Sequence, residues 1–469
     1  MKKTKIVCTL GPSVDCEKKL KELIEAGMDV ARFNFSHGDH DSQQERVDRL
    51  NRVKSLTNKP VALLLDTKGP EIRIGKFENG GINLEPGAEF RLVVEEILGT
   101  DKKVSITHKE LYNDVTNGTV ILLNDGLVSL KVDNVSGTDI VCKVVDGGVL
   151  VNNKGINIPD TDTHLPSLTE QDINDIMFAV KNNFDYIAAS FVRKAGDIIA
   201  VRKILEDNNA SSIKIIAKIE NREGVNNFDD ILRVSDGIMV ARGDLGVEIP
   251  VAEVPSIQKY ICRRCREENK VVIVATQMLE SMISNPRPTR AEVSDVANAI
   301  YDGTSAIMLS GESAAGKYPV ESVKTMAQIA EKTEESLDYS NIELGYKHEY
   351  SIGNAVGSSS VVTARLLGAS SIVCVTESGE TAKFISNLRA ECPVIAVTSD
   401  EKVLRQMMLY WGIIPVMQDC DDGADDMINK GIKCVKDLGI VKEGDVVVIT
   451  SGSKRFETGA TNIMKVHKI

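Results

Sequence analysis

The sequence predicts an α/β protein: a (β/α)8 barrel of the TIM type, interrupted by an inserted all-β lid domain and followed by a C-terminal α/β domain with an open sheet. Three observations predict it. Short apolar runs with little polar alternation recur eight times before residue 310, which is how strands buried on both faces read. Helix-like segments separate most of them, and eight buried strands alternating with helices fit a closed parallel barrel. The alternation fails once, over a stretch too long for a structureless loop. A chain of 469 residues also exceeds what one compact core sustains, so several domains are expected.

In chain order, the expected barrel strands are Lys5–Leu10, Val30–Phe35, Val61–Asp66, Tyr186–Phe191, Ile213–Glu220, Gly237–Arg242, Val271–Ala275 and Ala306–Leu309. Helices are expected at Glu17–Glu25, Thr169–Lys181, Val254–Glu268 and Val293–Tyr301. Between the third and fourth strands lie strand-like runs at Phe90–Glu95, Val104–His108, Thr119–Asn124, Leu127–Val132 and Ile140–Val145, parted by Gly, Asn and Asp turn signals. The insertion leaves at the top of the third strand, the face where barrel enzymes do chemistry, so it is read as a lid that excludes water. After a last barrel helix at Val320–Asp338 and a polar connector near Tyr339–Tyr350, alternation resumes. A helix around Ala355–Leu367 precedes strands Ser371–Thr376, Val394–Thr398, Ile414–Met417 and Asp445–Thr450, with Ala460–His467 as an edge strand. The expected division is 1–69 and 166–340 for the barrel, 70–165 for the lid, and 341–469 for an effector-binding domain.

Composition excludes several classes. A formal charge of −12 argues against a general nucleic-acid binder, because phosphate backbones need clustered Lys and Arg. No apolar run approaches the ~20 residues needed to span a bilayer. Basic residues open the chain, but Gly11-Pro12 and charged residues follow too soon for a signal peptide, so the expectation is a cytoplasmic protein. Nine scattered cysteines suit a reducing compartment. Cys262 and Cys265 form the one CxxC, in a charged helix-like stretch without a second pair, so metal or redox use is not expected.

The unusual residues fall at the C-terminal ends of the barrel strands. They are Arg32-Phe-Asn34-Phe-Ser36-His37-Gly38, Asp66-Thr67-Lys68-Gly69-Pro70-Glu71-Ile72-Arg73, Lys218-Ile-Glu220-Asn221, Arg242-Gly243-Asp244, Thr276-Gln277 and Ser310-Gly-Glu312-Ser313. Distant parts of the chain therefore converge on one rim. Glu220 and Asp244 supply hard oxygen ligands suited to Mg2+ or Mn2+. Lys218, Arg32 and Arg73 add positive charge for a phosphoryl group or carboxylate. Lys218 shares a strand face with Glu220, so it either touches the same substrate or forms a structural ion pair. Gly243 would let backbone N–H groups approach an anion closely. The oxygen-rich set Asn34, Ser36, Asp66 and Thr67 either ligates a monovalent cation or hydrogen-bonds the loops. Gly311 to Lys317 mimics a phosphate loop, but Tyr318 stands where Ser or Thr would bind Mg2+ and Pro319 follows, so it is read as a turn into a helix.

These stretches resemble the signatures of the pyruvate kinase family: RFNFSHG at Arg32–Gly38, LDTKGPEIR at Leu65–Arg73, KIEN at Lys218–Asn221 and MVARGDLGVEIP at Met239–Pro250. TQMLESM at Thr276–Met282, NPRPTRA at Asn285–Ala291, DVANA at Asp295–Ala299 and MLSGES at Met308–Ser313 follow in the family's order, and the resemblance covers essentially the whole chain. The resemblance is to members expected to lack the extra C-terminal domain that some bacterial members carry. The resemblance implies phosphoryl transfer from phosphoenolpyruvate to ADP, giving pyruvate and ATP. It implies Glu220 and Asp244 as Mg2+ (or Mn2+) ligands, and Arg32 and Lys218 as the groups holding the phosphoryl, with Lys218 also stabilising the enolate oxygen. Gly243, Asp244 and Thr276 would hold the substrate carboxylate, while Thr276, Ser310 and Glu312 would form a water-linked proton relay. Asn34, Ser36, Asp66 and Thr67 then resemble a K+ site, with Glu71 favouring K+ dependence. Asn34, His37 and Arg73 are similar to the nucleotide end of the site, and a second Mg2+ would arrive with ADP. Ala315, Asn124 and Asp160 depart from the usual Lys, Asp and Gly, and Asn124 makes the lid contacts less defined.

The effector region is Thr376, Ser378, Gly379 and Thr381, opening a helix after a strand, with Ser453 and Lys454 added in the family's arrangement. A phosphorylated small-molecule activator fits, although Glu377 and Glu380 would repel a bisphosphate. The resemblance also suggests a homotetramer. Rival readings are a Mg2+-dependent barrel lyase, a Schiff-base lyase using Lys218, and a metabolite sensor without turnover.

Overall fold

A computed structural model describes residues 2–57, 59–161, 163–339, 351–418, 423–452 and 461–469. The barrel begins with β1 (Lys5–Thr9), α1 (Glu17–Ala26), β2 (Val30–Asn34), α2 (His40–Thr57) and β3 (Ala62–Asp66). A second set of strands then intervenes: β4 (Ile72–Arg73), β5 (Gly81–Leu84), β6 (Glu89–Val93), β7 (Lys103–Ser105), β8 (Val120–Leu123), β9 (Val128–Ser136), β10 (Asp139–Asp146), β11 (Gly148–Val151) and β12 (Gly155–Asn157). The barrel resumes with α3 (Glu170–Lys181), β13 (Tyr186–Ala189), α4 (Ala195–Asp207), β14 (Lys214–Ile219), α5 (Arg222–Asn226), α6 (Phe228–Val234) and β15 (Gly237–Ala241). It is completed by α7 (Arg242–Glu248), α8 (Val254–Glu267), β16 (Val271–Ala275), α9 (Arg290–Tyr301), β17 (Ala306–Leu309), α10 (Gly311–Ala314) and α11 (Pro319–Glu334).

All eight barrel strands pair in parallel and close in the order β1-β17-β16-β15-β14-β13-β3-β2. Several expected strands stop early at the rim. Tyr186–Phe191 ends at Ala189 because Phe191 takes a positive φ of 54°, which turns the chain out of the ladder. The insertion is a seven-stranded sheet with a two-stranded partner, packed on its own core of Phe90, Leu92, Val104, Leu130 and Ile140. Four of its strands, β4, β5, β11 and β12, were not expected from the sequence; at two to four residues they are too short for any period to register.

The C-terminal unit comprises α12 (Ile352–Leu367), β18 (Ser371–Val375), α13 (Glu380–Asn387), β19 (Val394–Thr398), α14 (Glu401–Gln406), β20 (Ile413–Met417), α15 (Gly423–Asp437), β21 (Val446–Gly452) and β22 (Thr461–Lys468). Its open sheet runs β20-β19-β18-β21-β22, with β22 antiparallel at the edge. It packs on the N-terminal ends of the barrel strands. Tyr186 Oη donates to the Gln406 carbonyl at 2.6 Å, and Lys5 Nζ to the Ile413 carbonyl at 2.7 Å. The barrel interior (Val7, Leu64, Met239, Met308) and one side of the C-terminal unit (Ile372 on β18, Phe384 on α13 and Leu409 before β20) form one continuous apolar cluster. One end of the barrel is therefore sealed, and the opposite rim is where polar groups can gather. Cys262 and Cys265 are buried on α8, and burial raises both thiols, as an inert structural pair would have it.

Candidate active site

Strand periodicity decides which side chains reach the barrel interior. Val30, Ala62, Leu64, Tyr186, Ala188 and Ile216 belong to the inner cluster, whereas Ala31, Phe33, Leu63, Leu65, Ile187 and Ile215 face the helices. Counting on by twos, Arg32, Asn34, Asp66, Ser190, Lys218 and Glu220 take the inward positions at the rim. β2 and β3 bring Asn34 opposite Asp66, and β3 and β13 bring Asp66 beside Ala188.

Side-chain contacts link these groups. Arg32 Nε donates to Asp66 Oδ2 at 2.6 Å, and its Nη1 donates to Thr9 Oγ1 at 2.8 Å. Lys218 Nζ has three acceptors: Asp66 Oδ1 at 3.1 Å, Ser190 Oγ at 2.7 Å and Glu220 Oε1 at 2.9 Å. Burial alone would raise the Asp66 carboxyl, but the charges of Arg32 and Lys218 overcome it and hold Asp66 below its ordinary value. Burial alone would lower the Lys218 ammonium, yet Asp66 and Glu220 outweigh it and hold Lys218 above its ordinary value. An amine so firmly protonated is a poor Schiff-base nucleophile.

Glu220 is the other half of this balance. Its Oε2 accepts from the Phe191 N–H at 2.6 Å. Burial first, and then the negative charge of Asp244, push its carboxyl up to about 7 despite the Lys218 charge. A buried carboxylate and an exposed one that repel each other at the rim are a donor set a divalent cation satisfies. Asn34, Ser36, Asp66 and Thr67 offer amide, hydroxyl, carboxylate and carbonyl oxygens, a mixture suited to a cation of lower charge. Asn34 Oδ1 already turns the loop by accepting from the Ser36 N–H at 3.1 Å.

The far side of the rim is built on strained backbone. Thr276 and Gln277 take φ values of 64° and 53°, and positive φ is unusual for a β-branched residue. This turn aims Thr276 Oγ1 at the start of α7, where it accepts from the Gly243 N–H at 2.8 Å. Glu312 is fully buried and accepts from the amides of Leu279 and Ser310 at 3.0 and 2.8 Å. Ser310 Oγ beside it is buried without a hydrogen-bond partner, an uncommitted hydroxyl of the kind functional sites hold.

A cleft of about 370 Å3 opens from this rim and is walled on one side by the inserted sheet. Asp244, Phe191 and Asn221 line the barrel side, and Asp125, Ile156 and Asn157 the other. Asn157 Nδ2 donates to Glu248 Oε1 at 2.7 Å across it, and Arg222 pairs with Asp160 at 3.4 Å. Arg73 sits on the inserted sheet, held by Glu71 at 2.6 Å and by the Asn153 carbonyl at 2.7 Å. His37 lies exposed on the loop after β2. Among the expected effector residues, Thr376 Oγ1 accepts from the Gly379 N–H at 3.0 Å, and the Thr381 and Thr461 hydroxyls meet at 2.6 Å. Ser378 is half-buried in the same turn; Ser453 and Lys454 lie outside the described residues. Sequence reasoning missed Thr9 and Ser190. Extending the inward series Tyr186, Ala188 by one more step would have found Ser190.

A (β/α)8 barrel whose open rim joins a caged lysine, an arginine and two mutually repelling carboxylates under a β lid defines an enzyme of anionic, phosphorylated substrates. Two family descriptions match: the pyruvate kinase barrel domain over residues 1–323 and the pyruvate kinase alpha/beta domain over 354–467. The pyruvate kinase of Geobacillus stearothermophilus is 50% identical over 472 residues, covering 100% of this chain and 80% of that protein. That of Clostridium acetobutylicum is 46% identical, with 100% of both chains covered. A crystal structure of a pyruvate kinase from Cryptosporidium parvum superposes with a TM-score of 0.95 at 37% identity, over 100% of this chain and 96% of that one. The chain belongs to the pyruvate kinase family.

Proposed function

We propose that this chain transfers the phosphoryl group of phosphoenolpyruvate to ADP, giving pyruvate and ATP. The observation that carries this reading is the Lys218 ammonium held between Asp66 and Glu220, with Glu220 pushed up to about 7 by burial and by Asp244. Cation, carboxylates and lid together suit a reaction that needs positioning and charge stabilisation rather than covalent help. Arg32 and Lys218 bind the transferring phosphoryl oxygens, and Lys218 steadies the enolate oxygen as the phosphoryl departs. Gly243, Asp244 and Thr276 orient the substrate carboxylate, an assignment supported by the Gly243–Thr276 contact at the start of α7. Ser310, with its uncommitted hydroxyl, joins Thr276 and Glu312 in delivering a proton to the enol. Asn34, His37 and Arg73 meet the nucleotide, and the inserted sheet excludes water from the cleft.

The pyruvate kinase family generally uses a divalent metal and K+, which supports the same need in this chain. Glu220 and Asp244 would hold Mg2+ or Mn2+, and Asn34, Ser36, Asp66 and Thr67 would hold K+. Once bound, these ions supply positive charge against the phosphoryl and carboxylate oxygens. The division at residues 69, 165 and 340 is offered as the functional one, with the C-terminal unit binding a phosphorylated activator through Thr376, Ser378, Gly379, Thr381, Ser453 and Lys454. A cytoplasmic homotetramer is the expected assembly; among the described residues no helix is long and apolar enough to cross a membrane.

The test is pyruvate formation coupled to lactate dehydrogenase, from phosphoenolpyruvate and ADP, with and without Mg2+ and K+. Turnover that needs both ions and is lost in Glu220→Ala supports the reading. Absence of turnover in the intact protein overturns it.

A further inference from the structure

Ser190 is the one neutral acceptor in the Lys218 cage, and nothing in the reaction scheme above uses it. It follows β13, is 7% exposed, and reaches the barrel interior by strand periodicity. Its hydroxyl accepts from Lys218 Nζ at 2.7 Å. A hydroxyl has a single proton to give, and the shortest acceptor is the Thr67 carbonyl at 2.6 Å, with Asp66 Oδ1 farther at 3.1 Å. The Ser190 amide also donates to Thr67 Oγ1 at 3.1 Å, so backbone and side chain of one residue clasp Thr67 from both sides. Ser190 packs closely under Gly69, where an added Cβ would come within 2.9 Å of Ser190 Cβ, so the chain leaving β3 can pass over it only as glycine.

From this geometry we propose that Ser190 is a positioning residue that fixes Lys218 and couples it to the monovalent-cation residues Asp66 and Thr67. The inference rests on the functional reading above. Of the three acceptors around Lys218, Asp66 and Glu220 are the two assigned to cations. Ser190 is then the contact that holds the ammonium without offsetting its charge. It is also the only one of the three hydrogen-bonded to Thr67, so a change in how Thr67 presents its carbonyl is felt directly at Lys218 Nζ. A buried network with every member satisfied resists displacement in this way, and losing one member leaves the rest mispaired.

The experiment compares the full-length protein with Ser190→Ala and Ser190→Cys. Monovalent-cation binding is measured by calorimetry with K+ and Tl+, and steady-state constants by the coupled assay. Ser190→Ala is expected to weaken K+ and Tl+ binding about five- to tenfold and to lower kcat about 10- to 100-fold, with KM for ADP within about twofold. The kcat of Ser190→Ala should also respond more weakly to K+ against Na+ than that of the unaltered protein. Ser190→Cys, which keeps the size and restores a weak acceptor, should recover part of both losses. The proposal is overturned if folded Ser190→Ala binds K+ and Tl+ as before, or if kcat stays within about threefold. A melting temperature matching the unaltered protein certifies folding; should Ser190→Ala not fold, Ser190→Cys carries the same comparison, and unchanged cation binding there overturns the proposal. Absence of phosphoryl transfer in the unaltered protein would instead overturn the functional reading, which keeps the two failures distinct.

Discussion

Glu220 and Lys218, two residues apart at the end of β14, meet at 2.9 Å on the same face of the barrel interior, where neither reaches bulk water. The pair is not simply self-neutralising. Lys218 is shared with Asp66, and Glu220 is buried and also faces the charge of Asp244, so burial first and that charge second push its carboxyl up to about 7 while the lysine stays firmly charged. The arrangement leaves an excess of negative charge at one point of the rim, and the first two predictions follow from it.

Divalent-metal affinity should fall as the pH drops below about 7, by up to about tenfold per unit, because the ion must displace the Glu220 proton. Calorimetric titration with Mn2+ between pH 5.5 and 8 measures it. Binding that is flat over this range would show that Glu220 does not ligate the ion.

The same shift has a sign for stability. A carboxyl whose folded value is raised above the unfolded one stabilises the fold fully below the unfolded value, and that stabilisation is lost as pH rises through the folded value. The metal-free protein should therefore lose stability between pH 4.5 and about 7, and Glu220→Gln should flatten that part of the profile. Melting temperatures in the presence of a chelator read this directly.

Thr276 combines a strained backbone with a hydroxyl at the site. Replacement by Gly relieves positive-φ strain of about 1–3 kcal/mol and adds about 1 kcal/mol of unfolded-chain freedom. Stability should thus move by about 1 kcal/mol or less after the lost hydrogen bond is counted. Activity should nevertheless fall about 100-fold in Thr276→Gly and within about tenfold in Thr276→Ser. A large loss of stability with intact kcat would mark Thr276 as a purely structural turn residue.

Asn157→Ala removes the donor that reaches Glu248 across the cleft, and burial already raises that carboxyl. The lid should loosen, raising KM for ADP about fivefold with kcat changed less than twofold. Equal loss in kcat and kcat/KM would instead place the bond in the transition state.

At the sealed end, Asp185 accepts from Arg405 at 3.0 Å and from the Leu63 amide at 2.8 Å. Asp185→Ala leaves the buried Arg405 guanidinium with only its exposed partner Glu401, at 2.9 Å, and should cost about 3 kcal/mol, whereas Asp185→Leu with Arg405→Met should recover most of it. Urea midpoints of the single and double variants provide the comparison.

The barrel was legible because strands buried on both faces carry unbroken apolar runs, and because a (β/α)8 architecture dictates where polar residues at strand ends must converge. Arg32, Asp66, Lys218, Glu220, Asp244 and Thr276 could thus be singled out by position alone. The short strands Ile72–Arg73 and Gly155–Asn157 could not, since they are created by pairing with each other and with Val120–Leu123 rather than by their own periodicity. Ser190 was passed over because a lone serine at a strand end has no distinctive composition.

By itself the sequence determined the class of fold, the rim that carries the chemistry and the types of group available there, because each of these follows from local patterning. Only the tertiary structure decided how the charges share one another: that Lys218 serves Asp66, Ser190 and Glu220 together, and that Ser310 is left with a free hydroxyl. Such pairings depend on distances between strands far apart in the chain, and hydrogen bonds and ion pairs change their worth within tenths of an ångström and with loss of water.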